Sequence, residues 1–116
     1  MDKIHVNKSA VNTEGINSII EDFCKENNVD NETLLKMQLV CEEFLTNILF
    51  PNFQENFELA MRKEDAGVVL SFNYAGPDFM NKINDVTFLA QKIIDNKAKS
   101  SKSTTKDNQT VVEFVI

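Results

Sequence analysis

The stretch from Leu34 to Pro51, LLKMQLVCEEFLTNILFP, constrains what this chain can fold into more than any other. Leu34, Met37, Cys41, Phe44 and Ile48 recur at three- and four-residue spacing, and Leu35, Leu39, Leu45 and Leu49 widen that stripe. The spacing predicts an α-helix buried on most of its sides. Asp30 or Asn31 offers a side-chain oxygen to the orphan amides at its start, and Pro51 disfavours helical geometry at Phe50 and so marks its end. Such a helix tolerates charge poorly, because a buried carboxylate without a partner is costly. Glu43 and Asn47 interrupt the apolar pattern and lie on one face, one turn apart. They are the first candidate functional residues.

The flanking sequence supplies elements for this helix to pack against. Lys3 to Asn7 alternates polar and apolar residues as a short strand does. Asn12 or Thr13 can cap a helix whose apolar face is Ile16, Ile19, Ile20, Phe23 and Cys24, and Asn27 to Asn31 is a polar connector. Beyond Pro51, Phe57 to Arg62 and Val68 to Tyr74 read as a hairpin around a loop from Lys63 to Gly67. After Gly76-Pro77-Asp78, Asn84 or Asp85 begins a third helix with Val86, Leu89, Ala90, Ile93 and Ile94 inward. Lys97 to Lys102 and Thr110 to Ile116 read as a closing hairpin around 103–108. The order strand, helix, helix, hairpin, helix, hairpin predicts an α+β two-layer sandwich, a mixed or antiparallel sheet of about five strands with three helices on one face. With 116 residues and no internal repeat or linker, one domain over 1–116 is expected.

Composition narrows the function. A net charge of −6 argues against non-specific attraction to nucleic acid or to an acidic membrane. No apolar run is long enough to span a bilayer, and the first residues lack the character of a signal peptide, so a cytoplasmic location is expected. Cys24 and Cys41 fall at apolar helix positions and read as buried thiols, and His5 stands alone. The phenylalanines, Phe88 included, read as core. Lys97, Lys99, Lys102 and Lys106 lie among serines and threonines without an aromatic residue, which suits a solvated strand edge better than a nucleic-acid surface.

The element order, taken with Glu43-Phe44-Leu45-Thr46-Asn47 and Tyr74-Ala75-Gly76-Pro77-Asp78-Phe79, resembles the ATP-binding domain of the anti-sigma factor serine kinases. That family belongs to the superfamily of histidine kinases, Hsp90 and gyrase, with the Bergerat-type fold. The resemblance implies that Asn47 coordinates Mg²⁺ bridging the phosphates of ATP, and that Glu43 is the catalytic acid/base that helps activate an attacking hydroxyl. It implies nucleotide contacts from Asn73, Tyr74, Gly76 and Phe79, and an aromatic following the helix at Phe53. The family's Asp two positions before the Gly is Tyr74 here, its His is Pro51, and its glycines before the third helix fall near 83–86, where none is glycine. Only 80–82 separate the Gly76 segment from that region, so the lid is short. The resemblance thus implies a small regulator of transcription with an impaired ATP–Mg²⁺ site, a sigma factor or anti-anti-sigma-type protein as partner, and a homodimer by analogy. The alternative is an inactive member that sequesters its partner without nucleotide. A domain of unrelated origin used for assembly is a third reading.

Overall fold

The computed structural model describes residues 2–7, 13–52, 56–81 and 85–116. In chain order these form β1 (Asp2–Asn7), α1 (Thr13–Glu26), α2 (Asn31–Phe44), β2 (Asn56–Glu64), β3 (Gly67–Ala75), α3 (Asp85–Lys97), β4 (Ser100–Lys106) and β5 (Gln109–Val115). The class is α+β. Asn12 and Asn84, the alternative caps of α1 and α3, and Phe53 lie outside the described residues.

The sheet has the order β1-β2-β3-β5-β4, and every neighbouring pair is antiparallel. Strand alternation gives it two unlike faces. Leu59, Met61, Leu70, Phe72, Tyr74, Val112 and Phe114 point into a single core that also holds Ile16 and Ile20 from α1, Met37 and Phe44 from α2, and Ala90 and Ile94 from α3. The other face carries Arg62, Ser71, Asn73, Val111 and Glu113, all partly exposed. Arg62 Nη2 donates to Glu113 Oε2 at 2.9 Å across that face and also bonds Glu64.

Phe44 is the hub of the core. Its ring lies 4.7 Å from Phe72 and 5.3 Å from Phe114, and Phe72 reaches Phe57 at 5.9 Å. Both thiols are buried and free, and Cys24 Sγ approaches Met37 Sδ at 3.6 Å.

Two hairpins differ from the sequence reading. The β2–β3 turn is only Asp65-Ala66, because Glu64 already pairs with Gly67. Gly67 sits at φ +144, and a Cβ there would meet the Ile116 carbonyl oxygen at 2.3 Å. Glycine lets the end of β5 close against β3, where Val68 and Ile116 exchange backbone bonds of 2.8 and 3.2 Å. The closing hairpin turns at Asp107-Asn108, at φ +54 and +59, as a two-residue turn of the mirror-image kind requires. Ser103, Thr104 and Thr105 therefore belong to a strand and not to a loop, while α3 runs on to Lys97.

The central helix is also corrected. Asp30 caps α2 by accepting from the Thr33 amide at 2.8 Å, but α-geometry stops at Phe44. The chain continues as a π-type turn, Leu45–Leu49, closed by the Phe50 amide on the Leu45 carbonyl, and then a 3₁₀ turn, Phe50–Asn52, that contains Pro51. The wider turn keeps Leu45, Ile48 and Leu49 all buried. In α3 the inward residues are Thr87, Ala90 and Ile94, whereas Leu89, Phe88 and Ile93 are 64%, 48% and 36% exposed. Apolar residues occupy more of that helix than one packed face can cover.

Removing the hub should be expensive. Phe44→Ala is expected to destabilise the fold by about 3–5 kcal/mol, read from the urea midpoint at unchanged slope. Burial, and then Glu42, push the Cys41 thiol up to about 12 from 9.0. A raised thiol pKa favours the protonated native state, so this contribution is complete below about pH 9 and is lost as pH rises towards about 12. Cys41→Ala should be less stable than wild type at neutral pH yet lose less melting temperature between about pH 8 and about pH 11. Parallel curves for the two proteins would contradict this.

Candidate functional site

Glu43 lies in the last turn of α2 and Asn47 in the π-type turn that follows, and both are partly buried. Asn47 Nδ2 donates to Glu43 Oε2 at 2.7 Å. The pair expected from one-turn spacing thus exists as a direct contact, each group partnering the other. The π-type turn packs against α3 and against a 3₁₀ turn at Phe79–Asn81. The structure therefore brings the Asn47 region beside the segment that follows β3.

That segment is held from within. Tyr74 is 1% exposed; its ring stacks parallel to Phe79 at 5.5 Å, and its hydroxyl donates to the Pro77 carbonyl at 2.9 Å and accepts from the Phe79 amide at 3.3 Å. Burial raises the phenol's pKa above 10.0, and the neighbouring Asp78 adds to this. Gly76, at φ +148, receives the buried Thr110 hydroxyl on its carbonyl at 2.7 Å and donates its amide to the Asn108 carbonyl at 2.8 Å. The segment is thereby fastened to the β4–β5 hairpin.

Of the nucleotide contacts that the resemblance implies, Asn73 and Tyr74 line one cleft, which Gly76 and Phe79 do not line. Gly76 and Phe79 belong to the segment just described, and Tyr74 fills its interior. Asn73, one residue earlier on β3, points to the opposite face of the sheet, where its Oδ1 accepts from Gln109 Nε2. It lines a cleft of about 340 Å³ with Asn56, Phe57, Glu58, Tyr74, Ala75 and Gln109. Glu43 and Asn47 line neither this cleft nor the two others described below.

Sequence reasoning passed over Asp78. Its Oδ1 accepts from the Met80 amide at 2.9 Å and its Oδ2 from the Ser103 hydroxyl at 2.6 Å, so one carboxylate shapes the turn and ties it to β4. The available signal was an Asp after Pro, two residues before the amide it caps. Beside it, Met80, Gln91, Ser101, Lys102, Ser103 and Val112 enclose a cleft of about 180 Å³. Gln91 Nε2 donates to the Met80 carbonyl at its mouth, at 3.3 Å.

On the outer side of the helical layer, Glu32, Leu35, Lys36 and Leu39 of α2 and Lys97 of α3 line a cleft of about 270 Å³. Leu35 is 57% exposed, and Ile93 and Leu89 precede Lys97 by one and two turns on the same side of α3. Together they make an uncovered apolar stripe. Among the described residues no group of three His, Cys, Asp or Glu side chains gathers as a metal site, and no helix is long and apolar enough to cross a membrane.

No protein-family model matches the chain, and no curated protein matches it in sequence. Among solved structures, a chain of the SiaB–SiaC complex from Pseudomonas aeruginosa superposes with a TM-score of 0.62 at 11% identity, over 98% of this chain and 88% of that one. At that identity, the likeness is one of fold.

Proposed function

We propose that this chain is a small regulatory module that binds a protein partner and acts by that contact, without phosphoryl transfer. The observation that carries the reading is the apolar stripe of Leu35, Leu89 and Ile93, all exposed, with the partly buried Leu39 beside them. Contiguous apolar surface of this kind marks interaction sites. The similar fold of a chain solved within a two-protein complex supports the same reading. The fold is taken to be the Bergerat-type scaffold of the anti-sigma kinases, which makes a sigma factor or an anti-anti-sigma-type protein the expected class of partner. A second copy is the other occupant the stripe could accept.

The residues present fit ATP–Mg²⁺ poorly. Where an acceptor would read the adenine amine, Tyr74 is packed on Phe79 and its hydroxyl is engaged with Pro77. Asn73 turns to the other side of the sheet. One observation favours the rival reading of a serine kinase: Glu43 and Asn47, its acid/base residue and Mg²⁺ ligand, lie in direct contact.

Isothermal titration with a non-hydrolysable ATP analogue and Mg²⁺ separates the two. We expect no heat above dilution. Binding tighter than about 1 mM, lost in Asn47→Ala at unchanged melting temperature, would overturn the contact-only reading. The double variant Leu35→Glu/Leu89→Glu should keep the wild-type melting temperature to within a few degrees, since both sites are exposed. It should release a partner that copurifies with wild type from the source cells. Equal retention by both proteins would remove the stripe as the docking surface.

A further inference from the structure

The β4 edge combines three features that neither the helical stripe nor the Glu43–Asn47 pair uses. The first is an open ladder. β4 pairs only with β5 among the described strands, so one of its sides presents unpaired backbone groups. In a hairpin with a two-residue turn, the flanking residues, Lys106 and Gln109, exchange both of their bonds. Counting back by two, Thr104, Lys102 and Ser100 face β5, and Thr105, Ser103 and Ser101 turn their amides and carbonyls outward.

The second feature is charge. Residues 97–106 hold four lysines and no acid, so the net −6 divides into +4 here and −10 elsewhere. Register places Lys102 and Lys106 on the open face, because Ser101, Ser103 and Thr105 sit opposite the inward Phe114, Val112 and Thr110. The third feature is a receptacle. Beneath the edge, on the helical side, lies the cleft of about 180 Å³ bounded by Met80, Gln91, Ser101, Ser103 and Val112, with Lys102 at its rim.

We infer that β4 is a β-augmentation site for an acidic, extended segment of a partner protein. The incoming segment adds a sixth strand through the outward groups of Ser101, Ser103 and Thr105. Its alternate side chains divide between two tasks. Acidic ones on the open face meet Lys102 and Lys106, and a small apolar one on the other face enters the cleft at Met80 and Val112. A second copy of this chain is disfavoured at the same edge, since two β4 strands would set lysine against lysine. Lysine on an edge strand ordinarily prevents aggregation; here the same charges leave the edge open to a strand of opposite sign. Nucleic acid is less suited, because the strand bears no aromatic side chain for a base to stack on. The helical-layer stripe plays no part in this site, so the partner-binding reading above survives if the edge proposal fails.

The test uses the full chain and a fluorescein-labelled peptide of about eight residues alternating Val and Glu. A scrambled peptide with its Glu residues clustered, and a single-stranded oligonucleotide, serve as comparators. Anisotropy should show saturable binding of the alternating peptide and about tenfold weaker binding of the scrambled one. Amide exchange should slow at Ser101, Ser103 and Thr105 on binding. Lys102→Glu should weaken binding by about tenfold or more. Ser101→Pro keeps the charge and removes one outward amide, which an edge strand tolerates, and should weaken binding to a similar degree. Should that variant misfold, Lys102→Glu together with the exchange pattern still decides. The proposal is overturned if wild type ignores the alternating peptide, if it binds the scrambled one equally, if a folded Ser101→Pro binds as wild type does, or if the oligonucleotide binds more tightly than either peptide.

Discussion

The contact of Phe44 with Phe72 and Phe114 fixes the relation between the two layers. Phe72 and Phe114 belong to β3 and β5, which lie side by side within the sheet, and Phe44 ends the α-geometry of α2 directly above them. Once that ring is seated, the rotation of α2 follows. Met37, Val40 and Cys41 turn inward with it, Leu35 and Glu42 turn outward, and Glu43 is left at the boundary. The next residues must then bury Leu45, Ile48 and Leu49 against the same core, and the chain does so by widening into a π-type turn. Such turns within helices occur often at functional positions. Burial of these three residues gives the turn a packing cause, and the same turn brings Asn47 against Glu43.

Periodicity exposes an element only where its two faces differ in chemistry. α1 does: Ile16, Ile20, Phe23 and Cys24 are inward, the polar residues are outward, and sequence and structure agree. The two strands of the first hairpin, with apolar residues at alternate positions from Phe57 to Met61 and from Val68 to Tyr74, are equally plain. α3 carries Val86, Phe88, Leu89, Ala90, Ile93 and Ile94 around much of its circumference, and nothing in that pattern selects Thr87, Ala90 and Ile94 as the buried line. Packing of α3 against α2 and the π-type turn selects it. β4 is the opposite case, a strand of Ser, Thr and Lys with hardly any burial of its own, made a strand by pairing with β5. The sequence reading found the hairpin but set its first strand at 97–102, because a strand whose stabilisation is borrowed from a neighbour carries no pattern that fixes its ends.

The candidate site divides along the same line. Glu43 and Asn47 could be placed together from an i, i+4 spacing alone, since that relation is local. Tyr74 and Asp78 could not be assigned from the sequence, because their partners, Phe79 and Ser103, are chosen by how a short irregular segment folds back onto the hairpin. An aromatic position that reads as a contact for a ligand is equally a contact for another aromatic residue of the same chain. At Tyr74 the internal partner has taken the place.

The strength of that internal arrangement bears on what the region around Tyr74 can accept. The bonds that fasten the segment after β3 include these four: Thr110 to the Gly76 carbonyl, the Gly76 amide to Asn108, Ser103 to Asp78, and Tyr74 to Pro77. At about 1 kcal/mol each, with about 2 kcal/mol more for uncovering an aromatic ring, opening it costs roughly 6 kcal/mol. A ligand held at about 1 mM gains only about 4 kcal/mol. A small molecule would therefore have to bind an opened groove far more tightly than this merely to displace the protein's own side chains. A protein partner faces no such requirement, because the surfaces already uncovered, a stripe of Leu and Ile on the helices and an unpaired strand at the sheet edge, need nothing moved aside before they are used.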